Sequence, residues 1–327
     1  MKIAMFGFGN VARGFVELLV KRREALAADY GFGPKVIAVV IRRGAALDPQ
    51  GLDLSREFVL TQTPISAEAA MAGADVVVEV TPTDAQTGGV GLAHCRTALN
   101  LGKHVVTANK GPLVVAYREL AALAKSKGVQ FRFEGTVMGG TPSMVLGLEA
   151  LAAAGVRSVR GIVNGTTNFI LTQMEAGGSY ADALKKAQEL GYAEADPTAD
   201  MEGWDAAAKA VILANTLMGG DLRIDDVNRV GITGITPEMI EQAKTAGSRW
   251  KLIASAKKEG NRIEASVQPT QVPLTDPLAF VGGGMNALTY ETEAIGPVTL
   301  LGAGAGGKAT GFALLSDLLK IWERTGR

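Results

Sequence analysis

The sequence predicts an α/β fold in which a doubly wound, mostly parallel sheet precedes a second domain of mixed α+β structure. Over the first 135 residues, short β-branched runs alternate with longer amphipathic stretches rich in Ala and Leu, the pattern of parallel strands joined by crossover helices. Several runs are apolar at consecutive positions, as expected when helices cover both faces of the sheet. From about Thr136, glycine-rich turns replace this alternation. A chain of 327 residues is long enough for two domains.

Five strands are predicted in the first domain, and most of them are rich in β-branched residues. They lie at residues 2–6, 36–41, 74–80, 103–108 and 129–133. The second domain is predicted to cover residues 136–304 and to bind the substrate and form a dimer contact. Its predicted elements are helices around 180–190 and 203–218 and a strand over 262–270. Residues 305–327 run from a glycine turn into an amphipathic helix, which we expect to pack back on residues 1–135.

Composition excludes several kinds of partner. Lys and Arg together number 33, as do Asp and Glu, and no basic run appears, so we expect a small-molecule substrate and no nucleic acid. The single cysteine, Cys95, cannot form an internal disulfide, and glycines interrupt the apolar N-terminus that a signal peptide would need, which predicts a cytoplasmic protein. No stretch approaches the roughly eighteen to twenty apolar residues of a membrane-spanning helix, so no membrane association is expected.

A glycine motif follows the first predicted strand. Residues 7–12 read GFGNVA, the form G-x-G-x-x-A, and a predicted helix begins within them. Glycines at positions 7 and 9 allow a tight turn and the close approach of a pyrophosphate, which would rest on the helix N-terminus. An ordinary strand-to-helix turn is the alternative, but the order strand, turn, helix and second strand favours a Rossmann-like dinucleotide site. Its candidate residues are Gly7, Gly9, Asn10, Val11 and Ala12, together with Thr81 after the third predicted strand.

The end of the second strand distinguishes the two nicotinamide cofactors. An acidic residue there binds the ribose hydroxyls of NAD, whereas an arginine accommodates the 2′-phosphate of NADP. Here the strand ends in Arg42 and Arg43. Because guanidinium groups pair well with phosphate, the sequence favours NADP, with NAD still possible. The alternative is a solvated pair of surface arginines.

An apolar helix with two charges is the second candidate site. Between residues 203 and 220 the only ionisable side chains are Asp205 and Lys209, and a helix that is apolar nearly all the way round is normally buried. At a spacing of four the two side chains lie on one face and can pair. A buried ion pair with no chemistry is therefore one interpretation, and a catalytic lysine is the other.

Acidic residues on the approach to this helix favour the catalytic interpretation. The acids are Glu194, Asp196, Asp200 and Glu202. They exceed what one lysine needs and would repel one another without an external cation, so we expect a ligand that carries an ammonium group. The candidate binding groups of this ligand are these four acids, with Glu194 and Asp200 among them. Calcium-loop spacing is absent from the segment, and one cysteine and two histidines do not indicate a zinc site, so no metal is expected on these acids.

Two further turns carry candidate residues. Lys110 follows the fourth predicted strand, whose carboxyl end should face the cofactor because ligands of open α/β sheets bind there; a polar loop lysine is the alternative. The segment GIVNGTTNFI offers the hydroxyl of Thr166 and free backbone amides at a helix start, which suit a carboxylate. The alternative there is simple helix capping by Thr167 or Asn168.

Six motifs together resemble the homoserine dehydrogenase family, which interconverts aspartate 4-semialdehyde and homoserine with a nicotinamide cofactor. They are GFGNVA, TANKGP, FEGTVMGGTP, NGTTNFI, EADPTADMEGWDAAAK and GAGAGGKATGFALLSDL, and they span nearly the whole chain in the family's order. The resemblance implies an oxidoreductase of threonine and methionine biosynthesis. It also implies that Lys209 transfers a proton, that Asp205 and Glu194 help hold the substrate's amino group, and that Lys110 lies at the reacting centre. The further substrate contacts that it implies are Gly165 and Thr166.

The resemblance also implies a structural monovalent cation such as sodium and a homodimer. The residues around the cation would be Glu134 and Val137, with the backbone at Gly139 and Thr141. This sequence reads VMGGTP where the family often has VGGGIP, so Met138 and Thr141 depart from the usual pattern. The sequence ends at Arg327, which leads us to expect a short form without the regulatory ACT domain of longer relatives.

Two other functions remain open from the sequence. A sister dehydrogenase on the same scaffold could act on a different amino or hydroxy acid, and a substrate panel would separate it. A nucleotide-binding sensor without turnover would use Asp205 and Lys209 only as a structural pair, and it would bind the cofactor without changing its redox state.

Overall fold

The computed structural model describes residues 1–56, 58–61 and 65–326, which form two compact units. The first unit contains Met1–Gly140 and Ala305–Arg327, and the second contains Thr141–Gly304. The predicted α/β fold class, with a Rossmann-like sheet and a second mixed sheet, is confirmed. No helix in the described ranges is long and apolar enough to cross a membrane.

The first unit alternates strands and helices. Its strands are β1 (Lys2–Phe6), β2 (Lys35–Ile41), β3 (Gly44–Leu47), β4 (Val76–Glu79), β5 (His104–Thr107) and β6 (Phe131–Arg132). Its helices are α1 (Asn10–Tyr30), α2 (Ala67–Met71), α3 (Gly89–Asn100), α4 (Lys110–Lys127) and α11 (Gly307–Arg324), with a 3₁₀ turn at Glu134–Thr136. The strand order is β3-β2-β1-β4-β5-β6, and all pairs are parallel except β2 with β3. The order reverses between β1 and β4, where such sheets bind their ligands.

Strand β3 is the element of this sheet that the sequence did not predict. Ile41 pairs with Gly44, so Arg42 and Arg43 form the two-residue turn of a hairpin and are both exposed. The short run after the turn, GAAL, is too small and too weakly β-branched to have been recognised as a strand.

Helix α11 packs on α1 through glycines. A side chain on Gly14 would overlap the backbone of Gly307, and one on Gly311 would overlap the backbone of Phe15. Further along, α11 contributes buried leucines such as Leu314 to the same core that holds residues of β1 and α1. Glycines within both helices thus permit a close helix crossing in the first unit.

The second unit is built on one mixed sheet. Its strands are β7 (Val156–Ile162), β8 (Asn228–Arg229), β9 (Ser248–Glu259), β10 (Arg262–Pro273), β11 (Met285–Thr292) and β12 (Gly296–Ala303), in the order β12-β11-β7-β9-β10-β8. Its helices are α5 (Ser143–Val145), α6 (Gly165–Glu175), α7 (Tyr180–Glu189), α8 (Thr198–Met201), α9 (Trp204–Leu217) and α10 (Pro237–Thr245). Short 3₁₀ or π turns lie at Leu146–Ala150, Ala152–Ala154, Ile224–Asp226 and Pro277–Phe280. Helices α6, α9 and α10 pack against β9, and this packing buries the apolar length of α9.

Candidate active site

The turn after β1 is held at the point where the strand order reverses. Gly7 has a φ of 97°, which favours glycine, and a Cβ there would lie 2.5 Å from the carbonyl oxygen of Val80 at the end of β4. On its other side, the amide of Gly7 donates to the carbonyl of Val40 in β2, at 2.8 Å. Glycine is therefore required at position 7, because backbone from the ends of β2 and β4, the strands on either side of β1, approaches it closely.

The first backbone amides of helix α1 are not capped by a side chain of the described residues. The N-cap residue is Gly9. Gly9 and Asn10 are exposed, and in the described part of the chain nothing beyond the flanking residues comes within 4 Å of the site of a Cβ on Gly9. The first intrahelical bond found here is donated by Arg13 to Gly9, at 3.0 Å. The first amides of a helix lack partners of their own, so this end fits a pyrophosphate.

A buried carboxylate links the ends of β4 and β5. Glu79 is fully buried and accepts hydrogen bonds from the amide and the hydroxyl of Thr81, the former at 3.0 Å. The side-chain amide of Asn109 donates to the Thr81 hydroxyl at 3.3 Å, and its oxygen accepts from the amide of Gly111 at 2.9 Å. Asn109 thereby caps helix α4, whose first residue is Lys110. Glu79 and Asn109 were not predicted as site residues from the sequence, although an Asn directly before a helix is a recognisable cap.

Lys209 is withdrawn from water in helix α9. Its side chain is only 9% exposed, and its Nζ donates to the carbonyl of Val163 at 2.6 Å and to Oδ2 of Asp205 at 2.7 Å. The ion pair that the spacing of four predicted is present. Val163 lies just before helix α6, so the lysine joins the starts of two helices.

Asn164 connects this pair to a second carboxylate. Its Nδ2 donates to Oδ1 of Asp200 at 2.6 Å and to Oδ2 of Asp205 at 2.9 Å, while its Oδ1 accepts from the amide of Thr167 at 2.9 Å. The alternative considered from the sequence, that Thr167 or Asn168 caps helix α6, is wrong. The helix begins at Gly165, one residue after an extended Asn164, and asparagine is among the preferred N-cap residues.

Asp200 is the carboxylate most affected by its surroundings. Burial raises its pKa, and the nearby charge of Asp205 raises it further. The hydrogen bond from Asn164, the charge of Lys209 and the hydroxyl of Thr166 act in the opposite direction. Two carboxylates close together with one ammonium leave a net negative charge, which a second ammonium would neutralise.

The other acids that precede helix α9 are Glu194, Asp196 and Glu202, and the contacts that the structure shows do not link them to this cluster. Asp196 accepts from the amide of Thr198 at 3.1 Å, and Glu202 accepts from the indole of Trp204 at 3.0 Å. The expectation of an external cation is therefore wrong for Asp196 and Glu202, because each of them accepts a hydrogen bond from a donor two residues away. Glu194 is exposed.

The segment that carries Glu194 is attached to helix α6. The hydroxyl of Thr166 donates to the carbonyl of Tyr192 at 2.7 Å, and the Tyr192 ring stacks on Phe169 with 4.9 Å between ring centres. Gly165, at the start of the helix, has no Cβ, and one would lie 2.6 Å from the carbonyl of Gly284. Both substrate-contact candidates of α6 therefore lie at a tightly packed helix start.

The residues implied in cation binding divide between the two units. Glu134 is buried, and Met138 and Gly139 follow it with φ values of 57° and 55° in a tight left-handed turn. Thr141 belongs to the second unit and donates its hydroxyl to the carbonyl of Ala303 at 2.9 Å. A carboxylate with backbone and hydroxyl oxygens is the donor set of a hard cation, so the residue types fit. In the described ranges no three His, Cys, Asp or Glu side chains are grouped to hold a metal.

Comparison with known proteins assigns the family. Residues 142–319 match the family model of homoserine dehydrogenase, and residues 7–134 match that of the homoserine dehydrogenase NAD binding domain. The chain belongs to the homoserine dehydrogenase family. It is similar to the NAD(+)-dependent homoserine dehydrogenase of Pseudomonas canavaninivorans, with 41% identity over 100% of this chain and 97% of the relative.

Solved homoserine dehydrogenases share the fold. A putative homoserine dehydrogenase from Archaeoglobus fulgidus superposes with a TM-score of 0.90 at 40% identity, over 98% of this chain and 99% of that one. A hyperthermophilic archaeal homoserine dehydrogenase mutant in complex with NADPH superposes with a TM-score of 0.83 at 28% identity, over 99% and 98%. The resemblance found in the sequence is confirmed, and the protein is an NAD(P)-dependent homoserine dehydrogenase of threonine and methionine biosynthesis.

Proposed function

We propose that this homoserine dehydrogenase interconverts aspartate 4-semialdehyde and homoserine with Lys209 as the proton-transferring group and NADP as the preferred cofactor. The observation that carries the proposal is the buried Lys209 ammonium, bonded to Asp205 and joined through Asn164 to Asp200. An ammonium held in an apolar helix by one carboxylate and one carbonyl is fixed in place and weakly solvated.

Lys209 acts on the oxygen of the reacting carbon. In the reducing direction its ammonium stabilises the developing alkoxide and donates a proton; in the oxidising direction the neutral amine accepts the hydroxyl proton. When bound, the nicotinamide supplies or accepts the hydride at its C4 position. Asp205 holds the lysine in position through the 2.7 Å bond. Lys110, at the start of helix α4, acts at the reacting centre as a second cationic group.

The amino-acid portion of the substrate is bound by opposite charges. Asp200, Asp205 and Glu194 provide carboxylates for its ammonium group, and the excess of negative charge in the cluster supports this assignment. Gly165 and Thr166 provide backbone amides at the start of α6 for its carboxylate.

The first unit holds the cofactor in this proposal. The bare start of α1, formed by Gly9, Asn10, Val11 and Ala12 after the Gly7 turn, binds the pyrophosphate. Thr81 follows β4 and accepts from Asn109, and Lys110 is the first residue of helix α4, which Asn109 caps. The exposed Arg42 and Arg43 bind the 2′-phosphate of NADP, because arginine pairs well with phosphate.

Three broader features complete the proposal. Glu134, Val137, Gly139 and Thr141 hold a monovalent cation such as sodium, the enzyme works as a homodimer, and it works in the cytoplasm. The oxygen-rich donor set supports the cation, and membership of the family supports the dimer.

A spectrophotometric assay tests the proposal directly. Purified protein is mixed with homoserine and either NADP or NAD, and the absorbance of the reduced nicotinamide is followed. We expect turnover with both cofactors and a higher kcat/KM with NADP. The relative from Pseudomonas canavaninivorans is named NAD(+)-dependent and the archaeal neighbour was solved with NADPH, so the side-by-side comparison decides the preference. Turnover of another hydroxy amino acid but not of homoserine would overturn the substrate assignment.

A further inference from the structure

We propose that Asn168 and Lys251 are positioning residues for substrate binding. They fix the loop at residues 281–285, named here the glycine loop, and through it the start of helix α6 and the segment that carries Glu194. This inference rests on the proposed function, because it assumes that these two places bind the amino-acid portion of homoserine.

Asn168 anchors the glycine loop from helix α6. Its side chain is fully buried, and its Nδ2 lies within hydrogen-bond distance of three loop carbonyls, at 3.2 Å from Val281, 3.0 Å from Gly283 and 3.0 Å from Met285. One turn later, Thr172 accepts from the amide of Gly283 at 3.1 Å. A single face of α6 therefore determines the path of this loop.

Lys251 anchors the same loop from strand β9. Its side chain is fully buried, and its Nζ donates to the carbonyl of Val281 at 2.7 Å and to Oδ1 of Asn168 at 3.3 Å. Burial lowers its pKa to about 8, with Glu175 opposing and Arg249 adding to the effect. Burying a lysine is costly, so a buried lysine bonded to a loop carbonyl indicates a site whose geometry matters.

The anchored loop packs on the proposed substrate site. A side chain on Gly284 would overlap the ring of Tyr192, and the carbonyl of Gly284 lies 2.6 Å from where a Cβ of Gly165 would be. Tyr192 is also tied to Thr166, and it lies two residues before Glu194. Moving the loop would therefore shift the groups proposed for the substrate carboxylate and ammonium together.

Nothing in the chemistry assigned to Lys209 requires Asn168 or Lys251, and neither residue bonds to the Asp200, Asp205 and Lys209 cluster in the contacts shown. Their effect should therefore appear in the binding of homoserine more than in the chemical step. That expectation separates positioning from catalysis, because lost proton transfer lowers kcat.

The test compares valine variants of two threonines that make the same hydrogen bond within their helices, only one of which also bonds to the glycine loop. Thr172 and Thr216 both donate to the carbonyl four residues earlier in their helices, at 2.7 and 2.6 Å, but Thr172 also accepts from the glycine loop. We expect Thr172→Val to raise the KM for homoserine about fivefold, with the KM for NAD(P) unchanged. Thr216→Val should leave both constants unchanged, and Thr172→Ser, which keeps the hydroxyl, should restore the wild-type value.

The two anchors are tested by Asn168→Asp and Lys251→Met. The aspartate lacks the amide donors and the methionine lacks the ammonium, so each should raise the KM for homoserine about fivefold to tenfold with a smaller change in kcat. Calorimetric titration with homoserine gives the same comparison without turnover. If the wild type oxidises homoserine and the folded variants bind homoserine with unchanged affinity, the inference is overturned and the proposed function is not. If the wild type neither oxidises nor binds homoserine, both the proposed function and the inference are overturned.

Discussion

Helices α1 and α6 both begin at a place proposed to hold a ligand, but the two helix starts are built differently. The start of α1 has no side-chain cap among the described residues, and its N-cap is an exposed glycine. The start of α6 is capped by Asn164, which also binds Asp200 and Asp205, with Lys209 bonded to the preceding residue. The first start offers only backbone amides, and the second adds charged side chains.

The two helix starts match two different tasks, holding a ligand and reacting with it. A pyrophosphate needs only to be held, and backbone amides with the helix dipole can hold it. A reacting hydroxyl needs a group that gains and loses a proton, which the backbone cannot supply. Substitutions at α1 should therefore affect cofactor affinity, and substitutions around α6 should affect the substrate and the chemical step.

Lys209→Met should reduce activity more than any other substitution considered for these two helix starts. The variant keeps an apolar side chain of similar length in a buried position but has no proton to transfer, so kcat should fall by roughly 10²- to 10⁴-fold. The measurement is steady-state homoserine oxidation, with binding of the reduced cofactor and the thermal unfolding midpoint as controls. A folded variant that keeps near wild-type kcat would remove Lys209 from the chemistry.

The second effect concerns the bare start of α1. Gly9→Val places a side chain where the structure shows open space, so folding should be preserved while a pyrophosphate can no longer approach the amides. We expect the KM for NAD(P) to rise about tenfold or more, as for loss of a hydrogen bond to a charged group. Gly33→Val is the matched control, because Gly33 is also exposed, has open space around it and lies far along the chain from the motif. Equal effects of the two substitutions would argue against a cofactor site at α1.

The two helix starts also differ in how much of each could be predicted from the sequence. The start of α1 is one contiguous motif, GFGNVA, and its strand, turn and helix were found where the motif indicates. The cluster at α6 joins residues 36 and 41 positions apart in the chain, and a linear pattern does not show that Asn164 meets Asp200 and Asp205. Lys209 and Asp205 were predicted as a pair because they are the two charged residues of an otherwise apolar helix and lie one helical turn apart.

The same rule explains the other differences. The parallel strands of the first unit were predicted because apolar β-branched runs are local signals, whereas β3 exists because it pairs with β2. Asp196 and Glu202 looked like members of an acidic site because charge is counted along the chain, but each finds its donor within two residues. Long-range contacts decide which of several similar side chains form a site.

The third prediction separates the two tasks of Asn164. Asn164→Ser keeps an N-cap hydroxyl but cannot reach both carboxylates, whereas Asn164→Ala removes the cap as well. Both variants should raise the KM for homoserine by up to about tenfold, and only the alanine variant should also lose about 1 kcal/mol of stability. Chemical denaturation measures the second quantity. If the serine variant binds homoserine normally, the bridge between Asp200 and Asp205 has no part in substrate binding.

The fourth prediction uses the raised pKa of Asp200. As the pH falls, Asp200 takes up a proton earlier than an ordinary aspartate, and the cluster loses one of the negative charges that attract the substrate ammonium. The KM for homoserine should therefore rise on the acidic side, and removing the hydrogen bond that opposes the raised pKa, in Asn164→Ser, should move this rise to higher pH. A Glu238→Gln variant is the control, because the pKa of that exposed carboxyl is lowered instead. A KM profile in which the wild type and Asn164→Ser coincide would contradict the prediction.

The smallest effect is expected at the hairpin turn between β2 and β3. Arg42 and Arg43 are exposed, so each contact with a 2′-phosphate resembles a surface ion pair worth roughly 0.2–1 kcal/mol. Replacing both by alanine should raise the KM for NADP a few-fold and leave the KM for NAD unchanged, because NAD lacks the phosphate. Added salt should weaken NADP binding in the wild type and less in the variant, since screening acts on exposed charges. If the double substitution raises the KM values for NADP and NAD equally, the turn contacts a part of the cofactor that NADP and NAD share. In that case α1 alone does not account for cofactor affinity.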